Sequence, residues 1–300
     1  MSLRIPPAAT TIHLIGDTHI SYFFTPVKQS ILLRDMAKPS VPKVAYTFQV
    51  GDHTNEQPGE DAAALAFYEE LRTQFGTQVY VTYGNHDIRS TVASPTMGPN
   101  RTIADFVALY GLPAASYTVD IGPAIVIMLG IDSEFTIYAP SPRIGYDAAT
   151  LAWLTAQLDA STKPAIIVTH PALKDTVGVG DAGEIASNQG YWYADPDTTI
   201  RNIIANHGEV IAWVSGHVHA NLTSPNFVKT LTIGTKTVAA IATSSLGYTG
   251  RDPQWWDSMP SVYVTLYDTS IEVRFRDHGA GQWASANVDG ALQKVATIIR

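Results

Sequence analysis

Tyr80-Val81-Thr82-Tyr83-Gly84-Asn85-His86-Asp87 is an uncharged run that stops at a glycine and then delivers an amide, an imidazole and a carboxylate in succession. Residues 78–83 read as a strand buried on both faces, because a sheet covered on both sides needs apolar residues at nearly every position. Gly84 permits a sharp turn. Open α/β sheets bind ligands at the carboxyl ends of their strands, so the three polar residues are placed to face a metal or a phosphate.

The same design recurs on both sides of this stretch. A strand at 11–15 runs into Gly16-Asp17-Thr18-His19, and one at 44–50 into Gly51-Asp52-His53-Thr54-Asn55. Further on, apolar strands at 164–169 and 210–215 end in His170 and in Gly216-His217-Val218-His219, and 124–132 is another buried strand. Helical periodicity covers 27–37, 61–75, 103–110 and 147–160. Strand and helix alternate, which predicts a parallel sheet. Residues 90–100 are turn-rich. A long glycine-containing loop, 171–196, carries Tyr191-Trp192-Tyr193 and reads as a lid or substrate wall. Beyond it the texture is β-rich, with strands at 230–235, 238–243, 261–266 and 271–276, a hairpin turn at Asp268-Thr269, and a terminal helix expected at 291–299.

With 45% hydrophobic and 15% charged residues among 300, the composition is that of a well-packed globular chain. A net charge of −8 offers no basic footprint, which disfavours nucleic acid and anionic lipid as partners. The chain has no cysteine, so disulfides, thiolate metal sites and thiol nucleophiles are excluded, and any metal must be held by oxygen and imidazole. No apolar segment is long enough to span a bilayer, and residues 1–7 lack the apolar core of a signal peptide. A soluble cytoplasmic protein without a membrane partner is the expectation, and a homo-oligomer is compatible with it.

Of the nine histidines, five stand at the strand ends, where packing gives histidine no reason to collect. Asp17, His19, Asp52, Asn85, His170, His217 and His219 make seven candidate ligands, more than the roughly three or four protein groups that one hydrolytic metal takes. Two metals fit better.

In this order the blocks D-x-H, G-D-x-x-N, G-N-H-D, H and G-H-x-H resemble those of the calcineurin-like metallophosphoesterases. The resemblance implies a four-layer α/β/β/α sandwich, with two mixed β-sheets flanked by helices. It implies a single domain over 1–300, whose β-rich part at about 228–280 completes the second sheet. It assigns one metal to Asp17, His19 and His219 and the other to Asn85, His170 and His217, with Asp52 bridging. Imidazole and carboxylate suit two divalent or trivalent ions of manganese, iron or zinc. A pair of cations about 3.5–4 Å apart can hold a bridging hydroxide for in-line attack on a phosphate ester. The resemblance leaves His86 off the metals and makes it the expected catalytic residue, placed to protonate the leaving oxygen or to hydrogen-bond to the transition state.

The small-molecule substrate expected is a phosphodiester, because Asn55 and the His170-Pro171 pair look similar to the cyclic-nucleotide and glycerophosphodiester branch. A phosphomonoesterase is the alternative within hydrolases, and a non-catalytic metal-binding scaffold the alternative outside them. Relatives often carry an acid where Asn55 stands, and a neutral partner cannot raise the pKa of His86 through charge. Arg89 and Arg143 are candidates for phosphate contact.

Singly, each residue has a plainer reading. Asp17 and Asp52 could cap turns, Asp87 could cap or orient, and Tyr191 to Tyr193 could cover apolar surface. His13, His53, His207 and His278 read as satisfied polar residues.

Overall fold

The computed structural model of the chain describes residues 9–20, 23–55, 59–88, 101–132, 144–179, 184–185, 193–247 and 258–300. Two mixed sheets dominate it. The first runs Gln282–Ala284, Ser270–Asp277, Pro260–Leu266, Thr10–Ile15, Tyr46–Gln49, Gln78–Val81, with Val295–Ile299 also paired to Ser270–Asp277. The second runs Ala291–Gln293, Ala286–Val288, Val228–Ile233, Lys236–Ala242, Val210–Ser215, Ala165–Val168, Ile125–Met128, Tyr117–Asp120.

The first sheet is parallel along one half, out to the edge strand Gln78–Val81, and antiparallel along the other, whereas the second has a parallel centre with antiparallel strands outside it. Thr10–Ile15, Tyr46–Gln49 and Gln78–Val81 are mutually parallel in the first sheet. Ile125–Met128, Ala165–Val168, Val210–Ser215 and Lys236–Ala242 are parallel in the second. These are the runs whose continuous apolar character predicts burial on both faces, and the two faces meet different neighbours. Ile12, Leu14, Phe48 and Val264 of the first sheet share one core with Val126, Val168, Val214 and Ile241 of the second. Ile15, Val79, Val81, Ile127, Ile167 and Trp213 pack in another core with the apolar sides of Pro26–Met36, Glu60–Phe75, Ala148–Ala160 and Asp197–Asn206.

Local signals set the helix boundaries. Thr25 caps Pro26–Met36, with proline at its first position, and Asp147 caps Ala148–Ala160. Thr102 and Asp105 form a reciprocal capping box on Ile103–Tyr110.

Two expectations need correction. The terminal segment 291–299 is not a helix: it forms the strands Ala291–Gln293 and Val295–Ile299. Ala296 and Ile298 are buried while Thr297 and Ile299 face out, a period of two that suits its β-branched residues. The β-rich part expected to complete the second sheet divides between both sheets. Val228–Ile233 and Lys236–Ala242 join the second, whereas Pro260–Leu266 pairs antiparallel with Thr10–Ile15 and carries Ser270–Asp277 with it. That pairing covers an edge of Thr10–Ile15 that would otherwise stand open.

The loop 171–196 is tied down at its two ends. Ala194–Asp195 pairs with Ile144–Gly145, Ala172 bridges to Tyr193, and the Trp213 indole donates to the Pro171 carbonyl at 3.0 Å. Tyr191, Trp192, Arg89, Arg143 and the segment 90–100 lie outside the described residues.

Candidate metal centre

The parallel strands of both sheets end on one side of the molecule, and the turns that follow them lie against one another. Backbone N–H groups of Asp17 and His19 donate to the carbonyls of Gly51 and Asp52 at 3.2 and 3.0 Å, which extends the strand pairing into the turns. Gly216 N–H donates to His170 O in the same way at 2.9 Å in the second sheet. The turns are tight enough to force left-handed backbone on side chains that carry a β-carbon. The φ angles are 43° at Asp17, 39° at His19, 53° at Asp52, 65° at His217 and 49° at His219. Such residues cost on the order of 1–3 kcal/mol each and persist where the surroundings over-determine them, characteristically at functional sites.

The side chains of six of the seven candidate residues converge into two groups, and Asn85 lies against the second. Asp17, His19, Asp52 and His219 form one and Asp52, His170 and His217 the other, with ligand-capable atoms within 4.8 Å of one another in each. Asp52 belongs to both. Its Oδ2 lies 3.7 Å from His19 Nε2 and 3.3 Å from His170 Nε2. In the first group His19 Nε2 and His219 Nε2 are 3.0 Å apart, and Asp17 Oδ1 is 3.3 Å from His219 Nε2. In the second, His170 Nε2 is 3.0 Å from Asn85 Oδ1 and 3.1 Å from His217 Nδ1. The His219 side chain keeps 18% of its surface exposed against 0% for Asp17, so the cluster opens towards His219.

A surrounding set of hydrogen bonds aims these groups. His170 Nδ1–H donates to the Val50 carbonyl at 3.1 Å and so turns Nε2 inward. Asp17 Oδ1 accepts the His217 N–H at 2.8 Å, and Asp52 Oδ1 accepts the His86 N–H at 2.9 Å. Ser245 Oγ donates to the Asp17 carbonyl at 2.6 Å. Asp87 ties the second and third blocks together. One of its oxygens accepts from the N–H groups of His53 and Thr54 at 2.9 and 3.2 Å, and the other from Gly84 N–H at 2.9 Å. Burial pushes the Asp87 carboxyl above its ordinary value. His53 does not face the cluster: its Nε2–H donates to Thr82 O at 2.6 Å, and the Tyr68 hydroxyl meets its Nδ1.

The electrostatics are those of charges forced together. Burial disfavours the Asp52 carboxylate, yet His170 and His86 beside it hold its pKa well below the usual range. Burial likewise opposes a charge on His170, but Asp52 outweighs it and pushes His170 up to about 9. His19 is driven the other way by burial and by the facing His219.

His86 sits beside the cluster, its ring 5.0 Å from that of His19. For Asn55, the recorded hydrogen bond runs from its backbone N–H to Glu60 Oε2 at 2.6 Å. Sequence reasoning missed Ser245, whose serine-rich surroundings carry no motif. It placed Asp87 only as a residue that caps or orients, which is the part its carboxylate takes in joining two turns.

Whether this cluster suits a metal can be tested on its own atoms. Asp17 Oδ2 is buried and has no hydrogen-bond partner among the described residues, and two pairs of imidazole nitrogens face each other at hydrogen-bond distance. Cations answer both conditions, and nitrogen with hard oxygen donors suits manganese, iron or zinc. The residues fit.

Two mixed sheets whose strand ends bring buried carboxylate and imidazole groups together form a site suited to metal-dependent phosphoester hydrolysis. The chain belongs to the calcineurin-like phosphoesterases, whose family signature matches residues 10–221. Among solved structures it is similar to a dimetal phosphatase from Danio rerio, at 14% identity and TM-score 0.64 over 97% of this chain and 98% of that one. A purple acid phosphatase from yellow lupin (Lupinus luteus) seeds aligns at 13% identity and TM-score 0.55, over 98% of this chain and 54% of the other. A Plasmodium protein described as the anchor in the inner membrane complex aligns at 12% identity and TM-score 0.50, over 93% and 89%. At these identities the likeness is one of fold. A search of the curated proteins found no match. Among the described residues no helix is long and apolar enough to cross a membrane.

Proposed function

We propose that the chain is a single-domain phosphodiesterase with a binuclear metal centre. The observation that carries this reading is the position of Asp52, whose Oδ2 faces a histidine from each of the two ligand groups. Asp17, His19 and His219 would hold one ion and Asn85, His170 and His217 the other, with Asp52 available to both. When bound, the ions supply Lewis acidity toward phosphate oxygens and an activated water. The protein's own part is to fix the ligands in strained turns, to bury the carboxylates, and to present His86 at the rim. From there His86 donates a proton or a hydrogen bond to the ester oxygen that leaves. The preference for diesters rests on Asn55 and on the His170-Pro171 pair, which resemble the diesterase branch of the family.

The test is turnover of bis-p-nitrophenyl phosphate against p-nitrophenyl phosphate by protein loaded with manganese, with metal content measured in parallel. A higher kcat/KM for the diester and two equivalents of metal are expected. Faster monoester turnover would replace the diesterase by a phosphomonoesterase, and two bound metals without turnover would leave a metal-binding scaffold.

A further inference from the structure

Phe23 stands beside the candidate metal cluster and is only partly buried. Its ring meets the His19 ring edge to face, with centroids 5.8 Å apart and planes at 89°. The same His19 ring meets His86 at 5.0 Å, so Phe23 and the rim histidine border one ligand. Phe24, by contrast, is fully buried against Phe67 at 5.1 Å, whereas Phe23 keeps part of its surface exposed.

The backbone holds Phe23 there firmly. Its N–H donates to the His19 carbonyl at 3.0 Å, and that of Phe24 reaches the same oxygen at 3.4 Å. Gly247 closes the other side: a Cβ on it would lie 2.6 Å from Phe23 Cβ and 2.7 Å from Phe24 N, so only glycine allows this approach. Gly247 is itself fixed, since its carbonyl accepts from Lys28 Nζ at 2.7 Å and its N–H donates to Ser245 Oγ at 3.2 Å. Ser245 holds the Asp17 carbonyl, so one short loop sets both a candidate ligand and the aromatic wall.

A phosphate group gains nothing from a phenyl ring, but a flat apolar substituent carried by the phosphate does. Aromatic pairs prefer stacked or edge-to-face contact, and a partly exposed ring next to a binding centre offers one such surface. We propose that Phe23 is a specificity-determining residue that receives a planar aromatic group, aryl or nucleobase, esterified to the phosphate held at the metal cluster. This inference rests on the metallophosphoesterase reading, which supplies the phosphate's position.

Binding of phenylphosphonate and methylphosphonate to manganese-loaded protein, measured by calorimetry, tests it without any need for turnover. Phe23→Ala should weaken phenylphosphonate by about 3- to 10-fold and leave methylphosphonate unchanged. Phe23→Trp should restore the preference. Equal weakening of both ligands, or no change in either, would overturn the proposal, as would a wild-type protein that does not prefer phenylphosphonate. A protein that prefers phenylphosphonate through Phe23 but hydrolyses no ester would support this inference while removing the enzymatic reading.

Discussion

Gly84 leaves Asp52 no space to share: a Cβ at position 84 would stand 2.2 Å from Asp52 Oδ1 and 2.7 Å from His170 Cε1. The substitution Gly84→Ala therefore has to move the carboxylate common to both ligand groups and an imidazole of the second. We expect a stability loss of about 1–3 kcal/mol from overpacking and a metal content below that of the wild type. Thermal unfolding and elemental analysis of the purified variant check both; full metal content would show that the second and third blocks can slide apart.

Asp52 and His86 should separate cleanly in their effects. Asp52→Ala removes the one group common to both clusters and should leave the protein without bound metal. His86→Ala should keep both metals and lose rate, by roughly 10²- to 10⁴-fold if the imidazole acts as a general acid. A His86→Ala protein that loses a metal overturns this division of roles.

Asp87 is predicted to matter through the backbone. Asp87→Ala would strand the buried N–H groups of His53, Thr54 and Gly84. Hydrogen bonds to a charged acceptor are worth about 1.5–3 kcal/mol each, so a loss of at least 3 kcal/mol in urea unfolding of the chelated protein is expected. Asp87→Asn, which keeps one acceptor oxygen, should lose less.

Acid sensitivity should come from a buried polar cluster on the first sheet. His13 stacks on Tyr263 at 4.5 Å and faces His278 at 6.2 Å, while Asp35 from the helix Pro26–Met36 accepts from Arg276, His278 and Lys38. Burial lowers the pKa of both histidines, and each also faces a positive or potentially positive neighbour. The folded protein thus keeps them neutral at pH values where the unfolded chain protonates them, near pH 6.5. Their effect is absent above that value, and stability falls as pH drops below it, by up to about 1.4 kcal/mol per unit for each histidine. Asp35 behaves differently: burial opposes its charge, but His278, Arg276 and Lys38 hold it far below the carboxylate range. Its contribution is complete above about pH 4 and is lost only on further acidification. Denaturation of chelated protein between pH 7 and 4.5 should therefore show a shallower decline for His13→Phe than for the wild type; parallel slopes would remove His13 from the account.

The candidate ligands were legible because metal chemistry restricts residue type and each block is local. Gly-Asp, Gly-Asn-His and Gly-His-x-His follow apolar runs within a few residues, so the alternation of strand and turn displays them. The left-handed backbone at Asp17, His19 and Asp52 was not legible, since aspartate and histidine occupy ordinary conformations elsewhere. Ser245 and Gly247 are common residues in a common kind of loop, and only the fold brings them to Asp17 and Phe23. The segment 291–299 can be read with either period. Its pairing with Ser270–Asp277, a tertiary event, selects the strand. A hairpin such as 260–277 likewise does not state which edge it will cover.

Asp17, His19, Asp52 and Asn85 follow strands of the first sheet, whereas His170, His217 and His219 follow strands of the second. A growing chain on the ribosome has only four of these seven groups until residue 170 is made, and the strand that bears Asp17 gains its outer partner only with Pro260–Leu266. Neither ligand group is therefore complete until residue 217 has been made, and the first not until residue 219. Two bound metals would mark a chain whose two sheets have closed on each other.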